Sequence, residues 1–137
     1  MRPVTLHRMS DPNIDSVRQI YDAWARGDIP GPAELFDEEV EYVNPAGAIE
    51  PGTRSGVAEF ARAGEKLHEA WEFWEGEPEE MKSEGDRVAV LVHFRARGRG
   101  SGAEVEGHES ALFTFHDGKV VRYEWFHGET GAFEALD

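Results

Sequence analysis

RVAVLVHFRAR (Arg87–Arg97), EVEGHESALFTFH (Glu104–His116) and KVVRYEWFH (Lys119–His127) decide the fold. Each run is rich in β-branched and aromatic residues, and the turn sequences Gly100-Ser101-Gly102 and Asp117-Gly118 join them, Asp-Gly being a strong hairpin signal. Three long antiparallel strands in succession predict a curved sheet wrapped around a pocket. A tight turn at Ser101-Gly102 pairs Val92 with Ala111 and Phe94 with Glu109. One face then carries Val88, Val90, Val92 and Phe94 with Val105, Glu109, Ala111, Phe113 and Phe115. The opposite face sets Arg95, Arg97 and Arg99 against His108, Glu106 and Glu104, a cross-strand ladder of ion pairs.

Upstream, Val17, Ile20, Tyr21 and Trp24 recur at helical spacing within Asp15–Arg26, with Ser10, Asp11 or Asp15 to cap the start and Gly27 to end it. Pro32–Phe36 reads as a helical turn and Val40–Asn44 as a strand stopped by Pro45. Pro45–Gly56 reads as a loop. Ser55 opens a third helix with Val57, Phe60, Ala61, Gly64 and Leu67 on one face and charge on the other. Trp71–Met81, interrupted by Glu77-Pro78-Glu79, reads as an edge or bulged strand. Thr130–Leu136 reads as a short terminal helix. The fold class is thus α+β, with three helices from the N-terminal half on a curved antiparallel sheet and a short C-terminal helix.

Composition narrows the function. The chain has 137 residues, the size of one domain. It contains no cysteine, which excludes disulfides, thiolate zinc sites and a cysteine nucleophile. With 14 basic against 28 acidic side chains the net charge is −14, unfavourable for nucleic acid or an anionic membrane and easier on a neutral or cationic small molecule. Neither a signal-peptide core nor a membrane-spanning run is present, and the expected location is cytoplasmic. Met9-Ser10-Asp11-Pro12 resembles an ordinary protein start, so residues 1–8 read as a flexible extension and residues 9–137 as the domain. The Arg-Gly-Arg-Gly run occurs once and faces acidic partners, and Gly98-x-Gly100-x-Gly102 precedes a strand rather than a helix, so neither marks a nucleotide or RNA site.

Tyr21-Asp22-Ala23-Trp24-Ala25-Arg26-Gly27-Asp28, Glu41-Tyr42-Val43-Asn44-Pro45, Arg54-Ser55-Gly56-Val57 and Asp117-Gly118-Lys119-Val120-Val121, in that order, resemble the SnoaL-like branch of the nuclear transport factor 2-like superfamily. The resemblance implies an α+β cone with helices on the concave face of a bent sheet, assembled as a homodimer. The same superfamily hosts isomerases, epoxide hydrolases, cyclases and binding proteins, so the activity must come from the residues. Aligned with the ketosteroid isomerases, the positions of the oxyanion tyrosine, the aspartate base and the protonated aspartate hold Ile20, Asn44 and Ala111. Aligned with the limonene-epoxide hydrolases, Tyr42 and Asn44 match water-positioning residues, but the arginine and two aspartates of that site fall on Val92, Phe94 and Trp125. Neither mechanism carries over as it stands.

The resemblance also implies that Tyr123, Trp125 and His127 look inward. Together with Ile20, Trp24, Tyr42, Asn44, Phe60, Val92, Phe94 and Ala111 they describe an aromatic, apolar ligand cavity, unless the aromatics simply fill the cone. Glu109 interrupts the apolar face, and an unpaired buried carboxylate is costly, so burial should raise its pKa toward the range useful in proton transfer. His127 is its candidate partner. Alternatively Glu109 sits hydrated at the cone mouth or bridged to an arginine, and a bulge would turn it outward. No histidine pair has metal-ligand spacing, so no metal is expected, and no cofactor either. The functional expectation is a small hydrophobic or aromatic ligand, with cofactor-free isomerisation, cyclisation or hydration as the chemistry and Glu109 and His127 as catalytic residues. A non-catalytic binding or dimeric interaction module is the alternative. The homodimer is also expected from apolar Ala89, Leu91 and Leu112 on the outer face.

Overall fold

Asp11 begins the first helix by accepting from the backbone N–H of Asn13 (2.9 Å) and Ile14 (3.3 Å), with Pro12 in the first turn where its missing N–H costs nothing. In a computed structural model describing residues 11–48 and 51–136, that helix, α1, spans Pro12–Ala25 and buries Val17, Ile20, Tyr21, Ala23 and Trp24. The expected extension at residues 1–8 and the start at Met9 lie outside the described residues. A 3-10 turn at Ala33–Leu35 leads into β1, Phe36–Asn44, and a second helix, α2, covers Val57–Ala70. Gly64 on α2 is there for close approach: a Cβ at this position would stand 2.8 Å from the Cβ and Cγ2 of Ile29.

The remaining elements are β2 (Gly52–Ser55), β3 (Trp71–Glu84), β4 (Arg87–Gly98), β5 (Glu104–His116), β6 (Lys119–His127) and α3 (Gly131–Leu136). The strands form one sheet in the order β2-β1-β6-β5-β4-β3. Helices α1 and α2 close over its concave face, where Val17, Ile20, Phe60, Val90, Phe113, Val120 and their neighbours make the main core. This is the α+β architecture expected, with β3 an edge strand bulged at Pro78/Glu80. No helix among the described residues is long and apolar enough to cross a membrane.

Several details differ from the sequence reading. The β1–β6 pair is parallel, so the sheet is mixed. Residues Gly52–Ser55, read as loop, pair with β1 as an edge strand, and Ser55 belongs to that strand while Gly56 (φ 99°) starts α2 with no side-chain cap. The β4–β5 register pairs Val92 with Glu109 and Phe94 with Gly107, two residues from the expected alignment, because the connection is wider than a tight turn: Gly98 donates to Ala103 O (2.9 Å) and Gly102 to Gly98 O (2.9 Å). A two-residue shift leaves every side chain on its expected face.

The outer face also departs from expectation in part. Arg97 pairs with Glu104 and Arg95 with Glu75 (3.2 Å), both guanidinium groups lying over the Phe73 ring. Arg99 leaves the ladder for the turn and donates to the carbonyls of His68 (2.7 Å) and Trp71 (3.1 Å). Ala89 and Leu112 are not open for a partner: Ala132 and Leu136 of α3 bury them, with Phe126 packed alongside. Helix α3 is pinned by Ala132 N–H donating to Ser110 Oγ (3.0 Å) and by Arg87 donating to Ala135 O (3.0 Å) and Leu136 O (3.2 Å).

Candidate functional site

Helix α2 contributes Ala63 and Ala70 to the lining, and side chains this small leave space beside them. What is left open is a cavity of about 650 Å³, within the size of small-molecule sites. Trp24 from α1, Tyr42 and Asn44 from β1, Phe60 from α2, Phe94 from β4, Glu109 from β5 and Tyr123, Trp125 and His127 from β6 line it. Ile20, Val92 and Ala111 do not: each is wholly enclosed in the core. A smaller cavity of about 250 Å³ adjoins it across Trp24, Ile29, Leu67, Trp71 and Trp74.

The aromatic wall is braced by edge contacts. Phe60 meets Tyr42 at 4.8 Å and Tyr123 at 5.6 Å, while Trp24 meets Tyr123 at 5.4 Å between ring centroids. Two tryptophan indoles are fixed by hydrogen bonds, Trp24 Nε1 to Pro30 O (2.8 Å) and Trp125 Nε1 to Asn44 Oδ1 (2.6 Å). All four tryptophans of the chain, Trp24, Trp71, Trp74 and Trp125, line the cavity. The family resemblance implied the inward position of Trp125, but Trp71 and Trp74 read only as parts of an edge strand.

Glu109 lies between Val92 on β4 and His127 on β6. It lines the cavity, and burial penalises its charged form and pushes its pKa up to about 7. The expected partner His127 stands opposite in the strand pairing, but no ion pair forms between them; its ring lies edge-on to Trp125 at 5.0 Å. An acid poised near neutrality and reachable from a cavity is suited to give or take a proton.

Sequence reading left Tyr21 as a core residue, and its hydroxyl is the unexpected feature. It is buried with no hydrogen-bond partner among the described residues, and burial first, then the charge of Glu109, holds its pKa well above the usual tyrosine value. Tyr123 is raised likewise by burial, with Tyr21, Glu109 and Tyr42 adding to it. Glu109 is therefore surrounded by phenols that stay protonated, so any negative charge formed there rests on the carboxylate. Two positive groups on α2, Arg62 and Lys66, and one on β2, Arg54, also line the cavity; the sequence reading had given this helix a charged face without assigning it to a site.

Known structures share this architecture. An NTF2-like protein of unknown function from Burkholderia pseudomallei has a TM-score of 0.78 and 24% identity, covering 92% of this chain and 97% of that one. TerC, co-crystallized with polyporic acid, has a TM-score of 0.77 and 26% identity, covering 92% and 98%. A candidate SnoaL-like polyketide cyclase from Jannaschia sp. CCS1 has a TM-score of 0.73 and 20% identity, covering 84% of each chain. No curated protein matches the sequence significantly. The profile of the SnoaL-like domain matches residues 17–123, most of the chain including the greater part of α1, all of α2 and the strand that bears Glu109, and the chain belongs to this SnoaL-like family.

Proposed function

We propose that this chain binds a small, largely aromatic molecule in the cavity and moves a proton on it, with Glu109 as acid or base and isomerisation, cyclisation or hydration as the reaction class. The observation that carries the reading is a glutamate that lines the cavity with its pKa raised by burial to about 7. Protonated Glu109 can donate to a ligand oxygen, and the carboxylate can accept from an acidic C–H, both near neutral pH. Tyr42 and Asn44 offer polar contacts that orient an oxygen, and His127 stands where it can pass a proton between Glu109 and water. Such a step needs no cofactor. TerC, crystallised with polyporic acid, is a precedent for a small organic acid as the partner of a chain of this fold.

Deuterium uptake at the acidic carbon of 2-tetralone in heavy water, followed by NMR, tests this with a small aromatic ketone. Catalysed exchange should rise with pH through about 7, as the carboxylate base forms, and vanish in Glu109→Gln. Tryptophan quenching by 2-tetralone with no catalysed exchange would assign the cavity to binding alone.

Self-association through the outer face of β3, β4 and β5 belongs to the same reading. Its support is now the charged row of Arg95, Arg97, Glu75 and Glu104, since α3 covers the apolar patch. Light scattering should give twice the chain mass at micromolar concentration, and a monomer would remove the dimer.

A further inference from the structure

Two of the rings that line the cavity lie over glycines of the sheet. A Cβ at Gly76 on β3 would stand 2.6 Å from Cη2 and 2.9 Å from Cζ3 of Trp74, so the six-membered ring of that indole covers the bare backbone of Gly76. On β5, a Cβ at Gly107 would stand 3.3 Å from Cζ and 3.4 Å from Cε2 of Phe94, which leans over this second glycine in the same way. Glycine inside a strand weakens it and marks a close approach, and at both positions an aromatic ring makes that approach.

The strand register joins the two seats. Gly76 is opposite Phe94 in the β3–β4 pair and Phe94 is opposite Gly107 in the β4–β5 pair, so glycine, phenylalanine and glycine form one row across three strands on the inward face. Glu109 is the next inward residue of β5 after Gly107. Trp74 and Phe94 are half-buried and line the cavity, yet among the described residues neither packs on another aromatic ring, whereas Trp24, Tyr42, Phe60 and Tyr123 pack on one another. The methyl groups of Ala63 and Ala70 on α2 line the same space and leave room for a ring.

We propose that Trp74 and Phe94 form a stacking platform for a planar, fused aromatic ring system of the ligand, seated on Gly76 and Gly107, and that this platform makes the cavity select planar rings over puckered ones. The inference rests on the ligand-binding reading above and names the shape class of the ligand. A gap of about 0.5–1 Å already forfeits much of the dispersion attraction between two atoms. A saturated ring system touches a platform with only some of its carbons and gains less there than a planar one. Stacking on Phe94 also brings the ring system toward Glu109, the inward neighbour of Gly107.

2-Naphthol and its saturated counterpart decahydro-2-naphthol share one carbon skeleton and one hydroxyl and are both uncharged near neutral pH, so calorimetric titration with each reads planarity. The wild-type protein should bind 2-naphthol about fivefold more tightly, the worth of an aromatic pair beyond its buried area. Trp74→Leu keeps an apolar side chain but removes the indole face, and the preference should fall to within about twofold. Gly76→Ala keeps the tryptophan but lifts its ring off the strand, and the preference should fall likewise; the backbone of Gly76 is not left-handed, so alanine itself fits the strand. A preference unchanged in either variant overturns the platform, because the ring then only fills volume. Equal wild-type affinity for the two alcohols overturns it as well, and both results leave the ligand-binding reading standing. Binding of neither alcohol removes the platform together with the reading on which it rests.

Discussion

Glu109→Gln is expected to stabilise the protein at pH 8 and to leave its stability unchanged at pH 4. The folded-state pKa of about 7 lies above the unfolded value of about 4.3, so the native chain binds a proton more tightly than the unfolded one. Below pH 4.3 the carboxyl is protonated in both states and its ionisation costs nothing. Between about pH 4.3 and 7 stability falls as pH rises, and above that window the full penalty is present. Allowing for cavity water that screens the half-buried group, the penalty is about 2 kcal/mol, and the Gln variant should melt about 5–10 °C higher at pH 8. Calorimetric scans of both proteins across that pH range check this. Equal melting temperatures at every pH would place the carboxylate beside a compensating cation, and His127 across the β5–β6 pair is the group to examine first.

Phe60→Ala carries the other large effect, a loss of about 3 kcal/mol in urea unfolding with an unchanged denaturant slope. The ring is 1% exposed and meets Trp24, Phe36, Tyr42 and Tyr123 at centroid distances of 4.8 to 6.2 Å, so its removal unties α2 from both β1 and β6. The loss sits at the low end of the range for a buried phenylalanine because the site borders open space that water can enter. Phe73→Ala, where the half-buried ring lies under Arg95 and Arg97, should cost less than Phe60→Ala, about 1 kcal/mol. Comparable losses in the two variants would mean that Phe60 does not anchor the aromatic wall.

The strand faces were legible because side-chain alternation survives any register error of two residues: it put Glu109 with Phe94 and Tyr123 with Trp125, the family resemblance implied that the latter pair looks inward, and all four line the cavity. The exact register was not, since it depends on how Gly98–Ala103 folds, and three glycines there permit many turns. Strand β2 was hidden because Gly52-Thr53-Arg54-Ser55 has the composition of a turn and becomes a strand only by pairing with β1. The direction of the β1–β6 pair is equally invisible, as the partners are far apart in sequence. In the site, apolar periodicity picked out part of the wall but gave the charged face of α2 no place in it. A helix beside a cavity has two wet faces, and periodicity alone cannot tell them apart. Tyr21 was read as core from its spacing, and only the packed structure shows a hydroxyl left without a partner beside a carboxyl.

The strand order β2-β1-β6-β5-β4-β3 places β6, the last of these six strands to be synthesised, in the middle of the sheet. As the chain leaves the ribosome, β3, β4 and β5 can pair in sequence by local hairpins, and β1 can pair with β2, but these two pieces share no ladder of hydrogen bonds until residues 119–127 emerge between them. Until then the inner edges of β1 and β5 are unpaired and the aromatic wall, with Tyr42 on one piece and Phe94 and Glu109 on the other, is divided. The cavity is thus completed late: the nascent chain cannot hold a ligand between these walls before β6 is in place, and closure waits on contacts of long sequence separation, the slow class in folding.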